Sequence, residues 1–269
     1  MIKYFAGSGI SDCRPVMSMR NKNILVSFAY YKGSFRDWLL KNRNNYENIL
    51  VDSGAFTFWN NGQYSMEKIV QYMNVIKEDG LVKYIAFDKV FDPVETRKNY
   101  NIMVENGLDP IPCFHINTDI ENLKFYLDKT DYIAIGGMVG AVNVDSNLEK
   151  IWREIYNKNP NCKIHGLGVS GLETIMKFPW HSVDSSSYTA CVKFGRINHW
   201  NKTRFESEDT FKMLMDKFNI DEKENRSTGH IRELLLFYQM EQYNQMIDYV
   251  NDKQKTMDFT YLTNQLELF

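Results

Sequence analysis

Three aspartates have the placement that glycosyl-transfer chemistry requires. Asp52, Asp88 and Asp184 each end a short apolar run of the chain. Two carboxylates in different environments can act as nucleophile and general acid at one sugar carbon, because one stays ionised while the other holds a proton. A strand-end aspartate taken alone is about equally often the cap of the next helix. The prediction of a catalytic site therefore depends on all three aspartates together.

Glycine turns and a histidine end the neighbouring apolar runs. Gly54 follows Asp52, Gly136-Gly137 and Gly168 follow two later runs, and His115 ends another. Glycine at such positions allows a flat ligand to approach the backbone, although many strand-end glycines only form turns. A lone histidine here is more often structural than catalytic.

The aspartates belong to an alternating series of strand-like and helix-like segments. Eight continuous apolar runs are typical of parallel strands buried on both faces. They cover residues 3–6, 24–29, 49–52, 84–88, 110–115, 132–136, 163–168 and 182–184. Ser65 precedes one helical stripe, and capping boxes begin at Thr118, Ser146 and Ser170. The sequence predicts an α/β fold, a TIM (β/α)₈ barrel whose strands end at one mouth.

The pattern changes after about residue 200. Residues 208–218 and 230–252 fit helices, residues 221–227 fit a loop, and no further strand is expected. We interpret residues 1–200 as the barrel and residues 201–269 as a helical extension of the same domain. A dimer contact through this tail is the alternative.

Composition excludes several classes of protein. The chain has 269 residues and a net charge of −2, so a nucleic-acid surface would have to be a local patch. Its four cysteines form no CxxC pair, which argues against a zinc ribbon or a disulfide framework. No apolar run approaches the roughly 18 residues of a membrane span, and no signal peptide is visible. We expect a cytoplasmic protein that has no membrane partner.

Five segments in this order resemble motifs of the tRNA-guanine transglycosylase superfamily, across residues 49–187. They are Asp52-Ser53-Gly54-Ala55-Phe56, Phe87-Asp88, Ile135-Gly136-Gly137-Met138, Leu167-Gly168-Val169-Ser170 and Val183-Asp184-Ser185. Within the superfamily the chain is most similar to the compact phage-type enzymes that insert 7-deazaguanine bases into DNA. The opening residues 3–7 and the segment 182–188 carry this closer similarity.

The resemblance implies a role for each matching residue. Asp184 would be the nucleophile that forms a covalent glycosyl-aspartate, and Asp52 would protonate the departing base. Asp88 would bind the guanine edge, and Phe56 would stack on the base. The other implied substrate-binding residues are Ser53, Gly54, His115, Gly136, Gly137 and Gly168. Such base exchange requires no redox cofactor, no ATP and no metal, and its second substrate is a free 7-deazaguanine such as preQ0.

Departures from the family motifs bear on the acceptor. The chain lacks the C-terminal zinc cluster of the tRNA enzymes, and Ala55 replaces a motif glycine. His115 stands where a base-contacting glutamine is expected, and Ser186-Ser187-Tyr188 replaces Pro-Thr-Arg. We therefore expect a DNA acceptor rather than tRNA.

A duplex base must be flipped out to reach such a pocket. Basic residues after strand eight are expected to hold phosphates, although a solvated charged surface is an equal alternative. They are Lys193, Arg196, Lys202 and Arg204, with Arg14 and Arg20 as further candidates. Trp59, Trp180 and Trp200 could stack on bases, although each alone is more often a packing residue. A homodimer or an accessory protein could also contribute to binding.

Two other classes of function remain open from the sequence. A barrel with mouth carboxylates could be a glycosidase or a metal-dependent hydrolase, for which His115 and His165 are the available strand-end histidines. It could also be a non-catalytic barrel that only recognises a base or a nucleic acid. The presence of both Asp52 and Asp184 argues against the second of these.

Overall fold

The computed structural model describes residues 1–7, 14–30, 35–79, 82–138, 140–218 and 229–262. Eight parallel strands alternate with helices, which confirms the predicted α/β fold of the TIM type. The strands are β1 Ile2–Gly7, β2 Asn23–Ser27, β3 Asn48–Asp52, β4 Lys83–Tyr84, β5 Cys113–His115, β6 Tyr132–Gly136, β7 Lys163–Gly166 and β8 Ser182–Ser185. The helices between them are α1 Phe35–Asn42, α2 Ala55–Asn60, α3 Met66–Asp79, α4 Pro93–Glu105, α5 Ile120–Leu127, α6 Val144–Lys158 and α7 Leu172–Lys177.

The sheet curls so that its two end strands meet. The strand order is β4-β3-β2-β1-β8-β7-β6-β5, with every pairing parallel. A parallel bridge between Ile85 and Ile111 joins the ends, and Ile111 N donates to Tyr84 O at 2.9 Å. All eight carboxyl ends therefore point to the same mouth.

Alternation along the strands sorts side chains into the barrel interior and the outer layer. A compact interior cluster fills the barrel, and it consists of Tyr4, Leu25, Leu50, Ile85, Ile111, Cys113 and Ala134. Asp52 lies two residues beyond Leu50, and His115 lies two residues beyond Cys113. Both side chains consequently share the interior face and lie where the barrel opens.

The structure corrects several predicted boundaries. The second strand ends at Ser27, where a 3₁₀ turn at Phe28–Tyr30 begins, and the seventh ends at Gly166. The fourth is paired only over Lys83–Tyr84 and the Ile85 bridge. The second and fourth runs remain buried through Phe28 and Phe87, beyond their paired residues, so apolar character alone predicts strands that are too long.

The helix starts also differ in part from those predicted. Ser65 accepts a hydrogen bond from Lys68 N, as expected for a helix start, and Asp92 caps α4. The three capping boxes are wrong, because the N-cap residues of α5, α6 and α7 are Asp119, Asn143 and Gly171. In each case a residue next to or near the expected cap takes the position.

A β-hairpin after the barrel contradicts the prediction of no further strands. Strand β9 Arg196–Trp200 pairs antiparallel with β10 Phe205–Asp209. The short helix α8 Ala190–Lys193 precedes it, and α9 Thr210–Phe218 and α10 Gly229–Gln254 follow. Strand β10 is polar and largely exposed, so it lacks the apolar run by which the others were found. The predicted loop at 221–227 lies outside the described residues.

Helix α10 completes the free edge of the hairpin through side-chain amides. Gln239 accepts from Asn198 N at 2.8 Å and donates to Asn198 O at 3.0 Å, while Gln242 accepts from Trp200 N at 2.9 Å. Both glutamines are buried. Within the described ranges, none of the helices combines the length and apolar composition of a membrane crossing.

Replacing Gln239 by Leu should destabilise the protein, because it leaves a buried N–H and a buried C=O of Asn198 unpaired. We expect the free energy of unfolding to fall by about 2–4 kcal/mol in urea titrations. Gln242→Leu is the matched control and should cost less, because it orphans a single donor. A Gln239→Leu variant as stable as the parent would show that the helix does not support this edge.

Candidate active site

The structure brings the three predicted aspartates together at the mouth of the barrel. Asp52 ends β3, Asp184 lies in β8, and Asp88 follows β4. The side chains of Asp88 and Asp184 are 13% and 9% exposed. Both carboxylates lie close enough to raise the pKa of Asp52 electrostatically. Three carboxylates thus share one poorly hydrated space.

Asp52 has the environment of a proton donor. Burial, followed by the charges of Asp88 and Asp184, raises its pKa to about 7, although the Ser27 hydroxyl and the Gly54 N–H act in the opposite direction. Gly54 N donates to Asp52 Oδ2 at 3.1 Å. A carboxyl group with this pKa holds its proton in a large fraction of molecules near neutral pH.

Gly54 is required by the turn that presents Asp52. Its φ is +72°, and a Cβ atom at this position would lie 2.5 Å from Ala29 Cβ. A side chain would therefore clash with the 3₁₀ turn that follows β2. The next residue, Ala55, stands where the family motif has a second glycine. It is buried at the start of α2, which accommodates its methyl group.

Asp184 is held by hydrogen-bond donors. Gly168 N donates to Oδ1 at 3.0 Å, and His165 Nε2 lies 3.2 Å from the same oxygen. Among the described residues, no hydrogen bond reaches Oδ2. Gly168 has a φ of +71°, the left-handed conformation that turns its N–H toward the carboxylate. These contacts hold Oδ1 in place and leave Oδ2 facing the mouth as the candidate nucleophile.

Asp88 lies at the centre of a polar cluster on the opposite side of the mouth. Ser53 Oγ donates to its Oδ1 at 3.4 Å, and His115 Nε2 lies 2.9 Å from its Oδ2. Cys113 Sγ lies close by, so that ligand atoms of Asp88, Cys113 and His115 all fall within 4.8 Å of one another. Burial raises the pKa of the Cys113 thiol. This cluster could bind the polar edge of a base, or it could hold a metal ion.

The predicted glycine pair borders this cluster. A Cβ atom on Gly136 would lie 3.3 Å from His115 Cδ2 and 3.3 Å from Leu167 Cδ1, so side chains already pack closely around this buried glycine. Gly137 is exposed, has a φ of +77° and also borders His115. The approach of a flat ligand to this backbone stays a prediction.

Exposed aromatic rings lie next to Asp52 and Asp88. Phe56 and Trp59 on α2 are 59% and 40% exposed, and Phe91 after β4 is 75% exposed. The ring centroids of Phe56 and Trp59 are 6.4 Å apart, and those of Trp59 and Phe91 are 5.9 Å apart. We call these three residues the aromatic patch. In contrast, Trp180 and Trp200 are buried, so they are packing residues and do not stack on bases.

The predicted phosphate-binding residues lie on the surface in mixed electrostatic surroundings. Lys193, Arg196, Lys202 and Arg204 are exposed. Strand β10 places Glu206, Glu208 and Asp209 on the same hairpin, and Arg204 pairs with Glu206 at 3.5 Å. Arg20 forms ion pairs with Glu241 and Asp248, and the side chain of Arg14 lies outside the described residues.

His165, Cys113 and Phe91 are site residues that the predicted transglycosylase site did not include, although His165 was named for the hydrolase alternative. His165 and Cys113 lie on the interior face of their strands, in register with Ser182 and Ala134 respectively. Counting two positions back from His115 could have identified Cys113. No sequence signal marks Phe91, which has a positive φ of 61°.

No protein-family model matches the chain, and no curated protein matches it in sequence. The evidence for function therefore comes from the geometry of the site.

The raised pKa of Asp52 predicts a pH-dependent cost to stability. Its folded-state pKa of about 7 exceeds the ordinary value, so the folded protein loses stability as pH rises from about 4 to about 7. Asp52→Asn removes this cost, and we expect it to stabilise the protein at pH 8 by roughly 1–3 kcal/mol and by less at pH 5. Denaturant titrations at both pH values test this.

Asp252→Asn, at an exposed position near the end of α10, serves as the control and should change stability little at either pH. An Asp52→Asn variant that is less stable than the parent at pH 8 would contradict the assigned pKa.

Proposed function

We propose that the protein catalyses base exchange in a nucleic acid, replacing guanine with a 7-deazaguanine through a covalent glycosyl-aspartate. One observation carries this proposal: two carboxylates at the same mouth have opposite environments. Burial and neighbouring charge raise the pKa of Asp52, whereas two N–H groups surround one oxygen of Asp184. This pairing supports an acid and a nucleophile in a double displacement.

In the first displacement, Asp184 Oδ2 attacks C1′ of the target nucleotide. The bond from Asp184 to C1′ forms as the bond from C1′ to the base nitrogen breaks, and its electron pair leaves with the base. The proton of Asp52 passes to the departing guanine, which leaves neutral. In the second displacement, ionised Asp52 takes a proton from the incoming 7-deazaguanine, whose nitrogen attacks C1′ and releases Asp184.

Asp88 is assigned to base recognition. A carboxylate offers about four lone-pair sites, so it can accept the N1–H and the exocyclic amine of a guanine while it keeps its contacts to Ser53 and His115. The backbone at Gly136 and Gly137, of which Gly137 is exposed, would border the same base. Phe56 would provide a stacking face at the entrance.

The acceptor is proposed to be DNA, presented single-stranded or with the target base flipped out. The aromatic patch supports an unpaired substrate, because exposed rings can stack on flanking bases. Lys193, Arg196, Lys202 and Arg204 would contact phosphates from the β8 side of the mouth. tRNA is the alternative acceptor, and the polymer that loses guanine distinguishes the two.

The cluster of Asp88, Cys113 and His115 favours a second candidate, a metal-dependent hydrolase. Carboxylate, thiolate and imidazole are the ligands that Zn²⁺ prefers, and three protein ligands leave a position for a reactive water. Asp52 would then lie near enough to exchange a proton with that water. The same residues cannot serve both candidates at once, so metal content separates them.

The nucleophile assignment predicts a trapped intermediate. The parent protein, given a guanine-containing oligonucleotide and no incoming base, should form a covalent adduct visible as a shifted band on a denaturing gel. Asp184→Asn and Asp184→Ala should fold normally and form adduct at least about 10³-fold more slowly, because neither supplies a carboxylate. Asp52→Asn should bind the oligonucleotide and stall, because the leaving base lacks its acid.

Base exchange by Asp184→Ala near the parental rate would require both the nucleophile and the proposed reaction to be abandoned. Tight oligonucleotide binding with no base release by the parent would indicate a non-catalytic binding barrel.

The role of Asp88 predicts the outcome of a metal analysis. We expect no stoichiometric zinc in the purified protein, and we expect Cys113→Ser to retain base exchange. Asp88→Asn should weaken 7-deazaguanine binding by about 1–3 kcal/mol, because an amide donor then faces a donor of the base. Calorimetry of both variants and elemental analysis of the parent provide the test. One tightly held zinc per chain, lost in Cys113→Ser, would favour the hydrolase instead.

A further inference from the structure

A chain of hydrogen bonds runs through the barrel interior and ends at Asp184. Tyr132 Oη lies 3.0 Å from Ser182 Oγ, and Ser182 Oγ lies 2.8 Å from His165 Nδ1. His165 Nε2 lies 3.2 Å from Asp184 Oδ1. His165 and Ser182 are fully buried. The chain therefore connects three neighbouring strands, β6, β7 and β8, to the candidate nucleophile.

The partners at each end fix the direction of these hydrogen bonds. An ionised carboxylate has no proton, so His165 must donate from Nε2 to Asp184. In a neutral imidazole Nδ1 is then the acceptor, and Ser182 donates its hydroxyl proton to it. The Ser182 oxygen in turn accepts from Tyr132, whose phenol stays protonated because burial raises its pKa. Every polar group in the chain is satisfied in this arrangement.

We propose that His165 is a positioning residue, which holds Asp184 so that Oδ2 attacks the sugar. This inference rests on the proposed function, in which Asp184 is the nucleophile. His165 Nε2–H and Gly168 N–H both bind Oδ1, so they fix the rotation of the carboxylate about its Cβ–Cγ bond. Ser182 and Tyr132 fix the tautomer and the ring of His165, as the third member of a catalytic triad does for its histidine.

The surroundings of His165 support a role beyond packing. Branched apolar side chains usually fill the interior of a TIM barrel, and a buried polar chain costs stability unless every member is paired. The edge of the Tyr4 ring packs on the imidazole with centroids 5.8 Å apart, which restricts the ring further. Lys3, on the same strand as Tyr4, lies over the Tyr243 ring of α10 with its Nζ 3.5 Å from Val169 O. Burial lowers the pKa of Lys3 and the charge of Asp184 partly offsets this, so Lys3 is a nearby cation but not a member of the hydrogen-bond chain.

The proposal is tested by single-turnover rates of adduct formation on a guanine-containing oligonucleotide. The variants replace members of the hydrogen-bond chain one at a time. His165→Leu should slow adduct formation by about 100-fold or more without changing the oligonucleotide Kd. His165→Gln, which can restore an N–H donor, should recover part of the rate, and Ser182→Ala should lose roughly 3–10-fold. The control is His181→Gln, which replaces a neighbouring histidine that is not part of the hydrogen-bond chain. This variant should react at the parental rate.

A second readout reports the hydrogen bonds without any activity. Nitrogen NMR of the His165 ring should show a proton on Nε2 and none on Nδ1, and Ser182→Ala should perturb that tautomer. Adduct formation by His165→Leu near the parental rate, or a proton on Nδ1 alone, would overturn the positioning role. An inactive parent with the expected tautomer would instead count against the proposed function. If His165→Leu fails to fold, the rates of adduct formation by His165→Gln and Ser182→Ala decide whether His165 positions Asp184.

Discussion

The desolvation of carboxylates at one end of a closed parallel barrel is the constraint on which the site depends. Closure through Ile85 and Ile111 brings strands β3 and β8 into one ring, so Asp52 and Asp184 face a shared interior. Several charged carboxylates in a space of low polarity raise one another's proton affinity. In this site, hydrogen-bond donors surround Asp184, and the raised pKa of Asp52 allows that residue to keep its proton.

Backbone geometry sets this division of roles more than side-chain identity does. Gly54 and Gly168 each direct an N–H at a carboxylate from a left-handed turn, one at Asp52 and one at Asp184. The difference lies in the second partner. Asp184 has a fully buried imidazole, whereas Asp52 has the like charge of Asp88, which adds to burial in raising the pKa of Asp52. Similar aspartates on similar turns thereby acquire different environments.

The sequence predicted the barrel and the convergence of Asp52, Asp88 and Asp184, because continuous apolar runs and strand-end residues are local signals. It did not predict β10, whose polar residues pair with β9 without forming a buried run. It left a stacking role open for Trp180, which ring packing against Trp152 and Phe178 buries. The chain Tyr132–Ser182–His165 was missed because its members are distant in sequence and meet only through the strand register.

The two sides of the mouth impose different demands on a substrate. The Asp184 side is buried, and its hydrogen bonds lead into the filled barrel interior. The Asp88 side is more exposed, since Gly137 and the aromatic patch beyond Asp52 are exposed. A ligand that is planar at one end and bears a reactive carbon at the other fits this asymmetry. A nucleotide meets both conditions when its base lies against Asp88 and its sugar lies against Asp184.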